Sequence, residues 1–223
     1  MNKNTIIISI VSFFAIVGFL ALVYNASGAG TSTQSGTVIE SSKTVRASDH
    51  IKWNPSKKAV LVEYSDQQCP ACAQFHAELK SWENPEHPNN DIVKNVTFVY
   101  RHFPLFTIHK NARAASYAAE AAGRQGKFFE YSDVLFTKQV EWSQMSDPTD
   151  AFIKYAKSLK LDTDTFTKDM KSDAVVKVVQ DDLALGNEGG VQGTPSFFLN
   201  GRNMQIASIE DFAKQLRESY TSK

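Results

Sequence analysis

The chain has 223 residues, and its 24 basic and 24 acidic side chains cancel to a formal net charge of zero. With no basic run to act as a footprint, nucleic-acid binding has no electrostatic support. Only two cysteines occur, which excludes a multiply disulfide-stapled scaffold, and the length suffices for a hydrophobic core.

The N-terminus comes first. Residues 5–24, from Thr5 to Tyr24, carry no charge, and about 20 apolar residues span the ~30 Å hydrocarbon layer of a bilayer. The run exceeds the roughly 7–15 residues of a signal-peptide core, which favours an uncleaved transmembrane anchor. A cleaved signal is the competing reading, because Ala26, Ser27, Gly28 and Ala29 are small enough to suit a peptidase. Lys3 is the side-chain positive charge before the span and Lys43 the first after it. The positive-inside rule then puts the N-terminus in the cytoplasm and the remainder outside, as a single-pass protein of the cell membrane. Residues 25–45 are rich in Ser, Thr and Gly and predict a flexible linker reaching on the order of 25 Å.

Ala59 to Asp66 is a β-branched and aromatic run that predicts a buried strand. From Pro70 to Trp82, Ala71, Phe75, Leu79 and Trp82 recur at helical spacing until Asn84-Pro85 stops them. Asn95 to His102 predicts a second strand, ended by Phe103-Pro104. Strand, helix and strand in succession make a β-α-β unit with a parallel pairing. Nothing from His109 to about Ala184 reads as a strand. Helices are predicted over His109–Ala122, Lys127–Thr137, Pro148–Leu159, Thr163–Met170 and Ala174–Leu185.

The α/β pattern resumes at Gly193, where a strand runs into Asn200-Gly201, a strong hairpin signal, with Arg202 to Ile206 as the returning partner. Ser208 caps a last helix whose Asp211 sits in the capping-box position and whose Ile209, Phe212 and Leu216 form a buried stripe. The fold class is therefore α/β with an inserted all-helical domain. Residues 46–104 and 191–223 form the α/β part and residues 105–190 the helical insertion. Gly186, Gly189 and Gly190 follow a helix instead of preceding one, so they predict a hinge and not a phosphate loop.

Both cysteines lie in Cys69-Pro70-Ala71-Cys72, at the junction of the first strand and its helix. A lone C-x-x-C after a hydrophobic run reads as a dithiol redox centre. Two intervening residues at a helix N-terminus let the sulfurs meet across one turn. The first thiol there faces unpaired backbone N–H groups and the positive end of the helix dipole, which favour the thiolate. Pro70 suits the first helical position, where no N–H is needed. A structural disulfide is the weaker alternative, since so short a loop constrains the unfolded chain little. A zinc site with His76 would need a further donor from His50, His87, His102 or His109, none at finger-like spacing. Glu63 is odd in a buried strand, where burial should raise its pKa; an edge-strand charge is the alternative. His102 and His109 could line a substrate groove, but at a strand end and a helix N-terminus they are read as locally hydrogen-bonded. Phe128, Phe129, Tyr131, Phe136 and Trp142 are read mostly as core, with some available for an apolar patch.

Glu63 six positions before Cys69, the Cys-Pro-Ala-Cys motif, a helical insert and a late Gly-Thr-Pro-Ser-Phe-Phe-Leu-Asn-Gly together resemble the DsbA-like thioredoxin-fold thiol–disulfide oxidoreductases. The membrane-anchored bacterial members are the most similar. Phe103-Pro104-Leu105, His109 with the Ala-rich segment after it, and Gly126 to Phe129 share the likeness, which runs from about Ala59 to the C-terminus. The resemblance implies a thioredoxin fold, with Cys69 as the surface-exposed nucleophile and Cys72 as its buried partner. It implies that Glu63 is the buried acid beneath them, suited to accept the Cys72 proton. It also implies a cis-Pro195 facing the dithiol, with Thr194 offering its backbone to an extended peptide, and Pro70 and Ala71 on the substrate-binding surface.

Strongly oxidising DsbA proteins carry His where this chain has Ala71. The resemblance thus implies a Cys69 pKa between ~3.5 and ~7 and a potential between about −120 and −270 mV. The implied activity is an extracytoplasmic dithiol oxidase acting on exported or unfolded proteins with thiols. It needs no cofactor and no metal, because the cysteines carry the electrons, and a membrane quinone-linked protein would reoxidise it. A reductase or isomerase of the same fold, or a non-catalytic binder or chaperone of exported proteins, are the rival readings. A copper or zinc carrier is a lesser one.

Overall fold

The computed structural model describes residues 39–56 and 59–221. The predicted anchor, 5–24, and residues 25–38 of the predicted linker lie outside them. No helix among the described residues is long and apolar enough to cross a membrane.

The β-α-β unit forms as the hydrophobic pattern predicts. Strand β2 (Ala59–Ser65) and strand β3 (Val96–His102) pair in parallel, from Ala59 opposite Val96 to Ser65 opposite His102. Helix α1 (Pro70–Ser81) connects them, followed by a short α2 (Asn90–Asn95) that the sequence pattern does not signal. Among the described residues the strands make one five-stranded sheet in the order β1-β3-β2-β4-β5. Strand β1 (His50–Trp53) runs antiparallel to β3, and β4 (Ser196–Leu199) antiparallel to β2. β1 escapes the sequence analysis because it is only four residues long, three of them half-buried and Ile51 exposed. Asn200 and Gly201, with φ of 50° and 81°, make the left-handed turn that leads into β5 (Arg202–Asn203). β5 is shorter than predicted because the last helix competes for the chain: the Ala207 N–H donates to Asp211 Oδ2 and the Gln205 carbonyl accepts from Gln215.

Between β3 and β4 run α3 (Ala112–Gly123), α4 (Phe128–Thr137), α5 (Gln139–Trp142), α6 (Thr149–Ser158), α7 (Thr163–Asp169) and α8 (Asp173–Glu188). Helix α9 (Ile209–Thr221) closes the chain. The alanines make α3 narrow enough to be surrounded: Ala115, Ala118, Ala119, Ala121 and Ala122 are all buried. This helix begins later than predicted. The His109 ring turns away to Asp66, and the Asn111 N–H donates to Gln68 Oε1 at 2.7 Å.

The two faces of the sheet differ. Leu61, Phe98, Tyr100 and Phe197 pack under α1 and α9 in the larger core, whereas Val62, Tyr64, Val99, Phe103, Val191 and Phe198 form the smaller one. Gly186 is not a hinge. It lies inside α8, where a Cβ would come within 2.5 Å of the Phe103 ring, so its lack of a side chain lets helix and ring meet. The turn follows at Gly190, with φ of 71°.

Residues 39–45 are likewise no free tether. The Ile39 N–H donates to Gly201 O at 2.8 Å, and Glu40–Ser42 form a 3-10 turn with Ser42 fully buried. The fully buried Arg101 donates to the carbonyls of Ser41 and Thr44 at 2.6 and 3.0 Å and to the Asp49 carboxylate. Arg46 then bridges Asp49 to Asp182 on α8. Serine and threonine composition suggests a coil, but backbone carbonyls can hold a buried guanidinium whatever their side chains.

Candidate active site

Cys69 is the N-cap of α1, with extended backbone (φ −74°, ψ 123°), and Pro70 takes the first helical position. No side chain caps this helix, so its leading N–H groups face the sulfur. Both cysteines are free thiols. Contrary to the expectation of a surface-exposed nucleophile, Cys69 is 6% exposed and Cys72 fully buried. Its sulfur is covered from the far end of the chain, where Sγ donates to the Thr194 carbonyl at 3.3 Å. The Thr194-Pro195 peptide is cis. Pro70 and Ala71 are exposed beside it, while Thr194 and Pro195 are half-buried.

The two thiols are driven apart in acidity. A hydrogen bond from Cys72, outweighing burial, lowers Cys69 to about 5, with help from the backbone N–H groups of Cys72 and Ala71. Burial, the hydrogen bond to Cys69 and the negative charge of Glu63 push Cys72 well above the usual thiol range. Cys69 therefore lies between the thioredoxin and DsbA values without a histidine at position 71.

Glu63 is 3% exposed and sits on β2 between Tyr100 of β3 and Phe197 of β4. It is no edge-strand charge. Burial raises its carboxyl to about 7, with a smaller contribution from the Cys69 charge and an opposing one from Ser65. The Ser65 hydroxyl faces Glu63, Cys72 and Tyr100 at once, without a well-aligned hydrogen bond to any of them. The acid and the buried thiol thus share one polar compartment beneath Cys69.

Several supporting residues carry no individual sequence signal. Gln139 of α5 donates to the carbonyls of Gln67 and Cys69 at 2.9 and 3.1 Å, pinning the approach to the dithiol. Asp66 accepts from the N–H groups of Gln68 and Leu105 and contacts His109 Nδ1 at 2.8 Å. The run Ser65-Asp66-Gln67-Gln68, wholly polar and wholly buried, is the one hint of this scaffold in the chain. Phe75 on α1 separates two open clefts of about 420 and 440 Å³; the first is lined by Pro195, Ser196 and Gln192, the second by Glu78, Ile206 and Ile209.

His102, expected to be locally hydrogen-bonded, is fully buried with Nε2 2.9 Å from Glu120 Oε1, and His50 approaches the same oxygen at 2.7 Å. These three offer ligand atoms within 4.8 Å of one another. The buried His102 Nδ1 has no acceptor among the described residues, whereas a metal-bound imidazole ordinarily donates its second N–H. The trio is a hydrogen-bonded triad. Neither cysteine belongs to such a cluster among the described residues, and His76 engages Asp133 instead.

Against this geometry, the thioredoxin family model matches residues 48–218. The chain belongs to the thioredoxin family. Its fold is that of the DsbA-like thiol–disulfide oxidoreductases. BdbD from Bacillus subtilis, in its oxidised form, superposes with a TM-score of 0.69 at 18% identity, covering 83% of this chain and 99% of that one. For α-DsbA1 of Wolbachia pipientis the TM-score is 0.67 at 20% identity over 82% and 96%. A thioredoxin-like oxidoreductase from Silicibacter pomeroyi gives 0.61 at 25% identity over 78% and 91%. Among curated proteins, the Na(+)/H(+) antiporter NhaA 1 of Mycobacterium sp. (strain KMS) is 36% identical over 158 residues, which are 69% of this chain and 24% of the antiporter. The same-named protein of Salinispora arenicola is 34% identical over 154 residues, 69% of this chain and 22% of its own. This chain spans about a quarter of these relatives.

Proposed function

We propose that this protein is an extracytoplasmic dithiol oxidase that introduces disulfides into exported proteins through Cys69 and Cys72. The observation that carries this reading is the split acidity of the pair, Cys69 lowered to about 5 and Cys72 raised, beside the cis Thr194-Pro195 peptide. In the oxidised enzyme a substrate thiolate attacks Cys69 Sγ. A substrate–Cys69 bond forms, the Cys69–Cys72 bond breaks, and its electron pair leaves on Cys72, which takes a proton from Glu63. A second substrate thiolate then attacks the substrate sulfur, closing the substrate disulfide and releasing Cys69 as a stabilised thiolate. A favoured thiolate stabilises the reduced enzyme and makes its disulfide the stronger oxidant.

In this reading Thr194 and Pro195 form the wall against which a peptide docks, with Pro70 and Ala71 opposite. Residues 5–24 anchor the chain with its N-terminus in the cytoplasm, and a quinone-linked membrane protein restores the disulfide. Equilibration with glutathione buffers tests the oxidase direction: a potential above thioredoxin's supports it, and one at or below thioredoxin's favours a reductase or isomerase. Cys69→Ser separates redox turnover from binding. It should abolish oxidation of a reduced substrate, while a non-catalytic chaperone would keep its activity.

A further inference from the structure

The mechanism leaves one question open: how the proton of Glu63 reaches water from a fully enclosed site. A cavity of about 20 Å³ lies on the side of Glu63 away from the cis-proline, bounded by Glu63, Tyr100, Ser132, His76, Lys52 and Lys80. One water needs roughly 10–15 Å³ and two or more polar partners, and this cavity offers both. The Tyr100 hydroxyl is buried without a hydrogen-bond partner among the described residues. His76, on α1 one turn after Cys72, lines the cavity and is half-buried. Its Nε2 lies 2.8 Å from Asp133 Oδ1, yet neither atom makes a well-aligned hydrogen bond, so the ring is not locked there by geometry. Lys80 pairs with the other oxygen of Asp133, and the ring packs tilted against Phe136, centroids 4.5 Å apart.

Resting on the oxidase reading above, we propose that His76 is the positioning residue through which Glu63 exchanges its proton with solvent, by way of a single water in this cavity. When Glu63 has protonated Cys72, the cavity water gives a proton to the carboxylate and takes one from the protonated His76 ring, and the neutral imidazole left behind is reprotonated from solvent. When Cys72 is deprotonated during reoxidation, the same steps run backward. Imidazole is the side chain whose proton exchange suits neutral pH. The other charged or titratable groups facing the path are Tyr100 from β3, Lys52 from β1, Asp133 from α4, and Lys80 and Glu83 near its outer end.

The test compares dithiol-oxidation rates of the wild type, Glu63→Gln, His76→Phe and His76→Ala across pH 5 to 9. His76→Phe keeps an aromatic ring packed against Phe136. It should leave the potential and the Cys69 titration unchanged but slow turnover about ten-fold, the low end of proton-transfer effects. For His76→Ala, added imidazole should restore the rate, while pyrrole, the same ring without a basic nitrogen, should not. Wild-type rates in both His76 variants with a slow Glu63→Gln would overturn the relay and leave the oxidase reading intact. A shifted potential in His76→Phe, or equal rescue by pyrrole, would assign His76 a structural role and also overturn it. If the wild type itself fails to oxidise dithiols, the oxidase reading fails instead.

Discussion

Cys69 Sγ lies 3.3 Å from the backbone oxygen of Thr194, a residue 125 positions further along the chain. That contact joins the β-α-β unit to the strand that re-enters after the helical insertion, and it covers a thiol that the motif alone leaves open. In the proposed function a peptide attacking this sulfur would meet the Thr194-Pro195 backbone at the same moment, so reactivity and docking would share one surface.

Cys69 should be alkylated fastest of the two thiols, with a rate that rises through pH of about 5 and stays level above it. Folding lowers this thiol from 9.0, so its ionisation stabilises the reduced protein fully above that value. The contribution is lost as pH falls toward about 5. Denaturant unfolding of the reduced and oxidised forms at several pH values checks the sign. The advantage of the reduced form should shrink on acidification.

Glu63→Gln should slow turnover yet stabilise the protein. Burial raises the carboxyl from 4.5 to about 7, so the folded state binds more proton than the unfolded one across that interval. Stability then falls as pH rises through it. The glutamine variant should therefore gain on the wild type between pH 5 and 7 and match it more closely at pH 4. Melting curves at the three pH values measure this.

Gly186→Ala should destabilise the fold without touching the dithiol. The added methyl would meet the Phe103 ring at 2.5 Å, an overpacking that costs about 1–3 kcal/mol. Urea titration should show a lower midpoint with an unchanged slope, while the Cys69 titration stays put.

Arg101→Met should be more severe. The fully buried guanidinium holds Asp49, equally buried, and two carbonyls of residues 39–45. Removing one member of such a pair costs about 3–5 kcal/mol. Limited proteolysis should then open the segment before His50 first.

How much of this was legible in the chain can be judged residue by residue. The C-x-x-C motif at a strand-to-helix junction, the parallel β-α-β unit, the run of helices and the Asn200-Gly201 hairpin follow from local periodicity and turn chemistry, which act over a few residues. The acid at position 63 stood out because a carboxylate breaks an apolar strand. What local pattern cannot encode is which distant polar groups share a compartment. Gln139 reaches the Cys69 carbonyl, Tyr100 and His76 border the cavity next to Glu63, and Arg101 orders residues whose composition reads as coil. Those placements depend on the register of β2 against β3 and on helices α3 to α8 returning over the sheet. The burial of Cys69 belongs with them. By itself the sequence determined that a reactive dithiol stands at the start of a helix, because helix geometry and dipole act locally; only the tertiary structure decided what shields it and which acid lies beneath, because desolvation is set by neighbours brought from far along the chain.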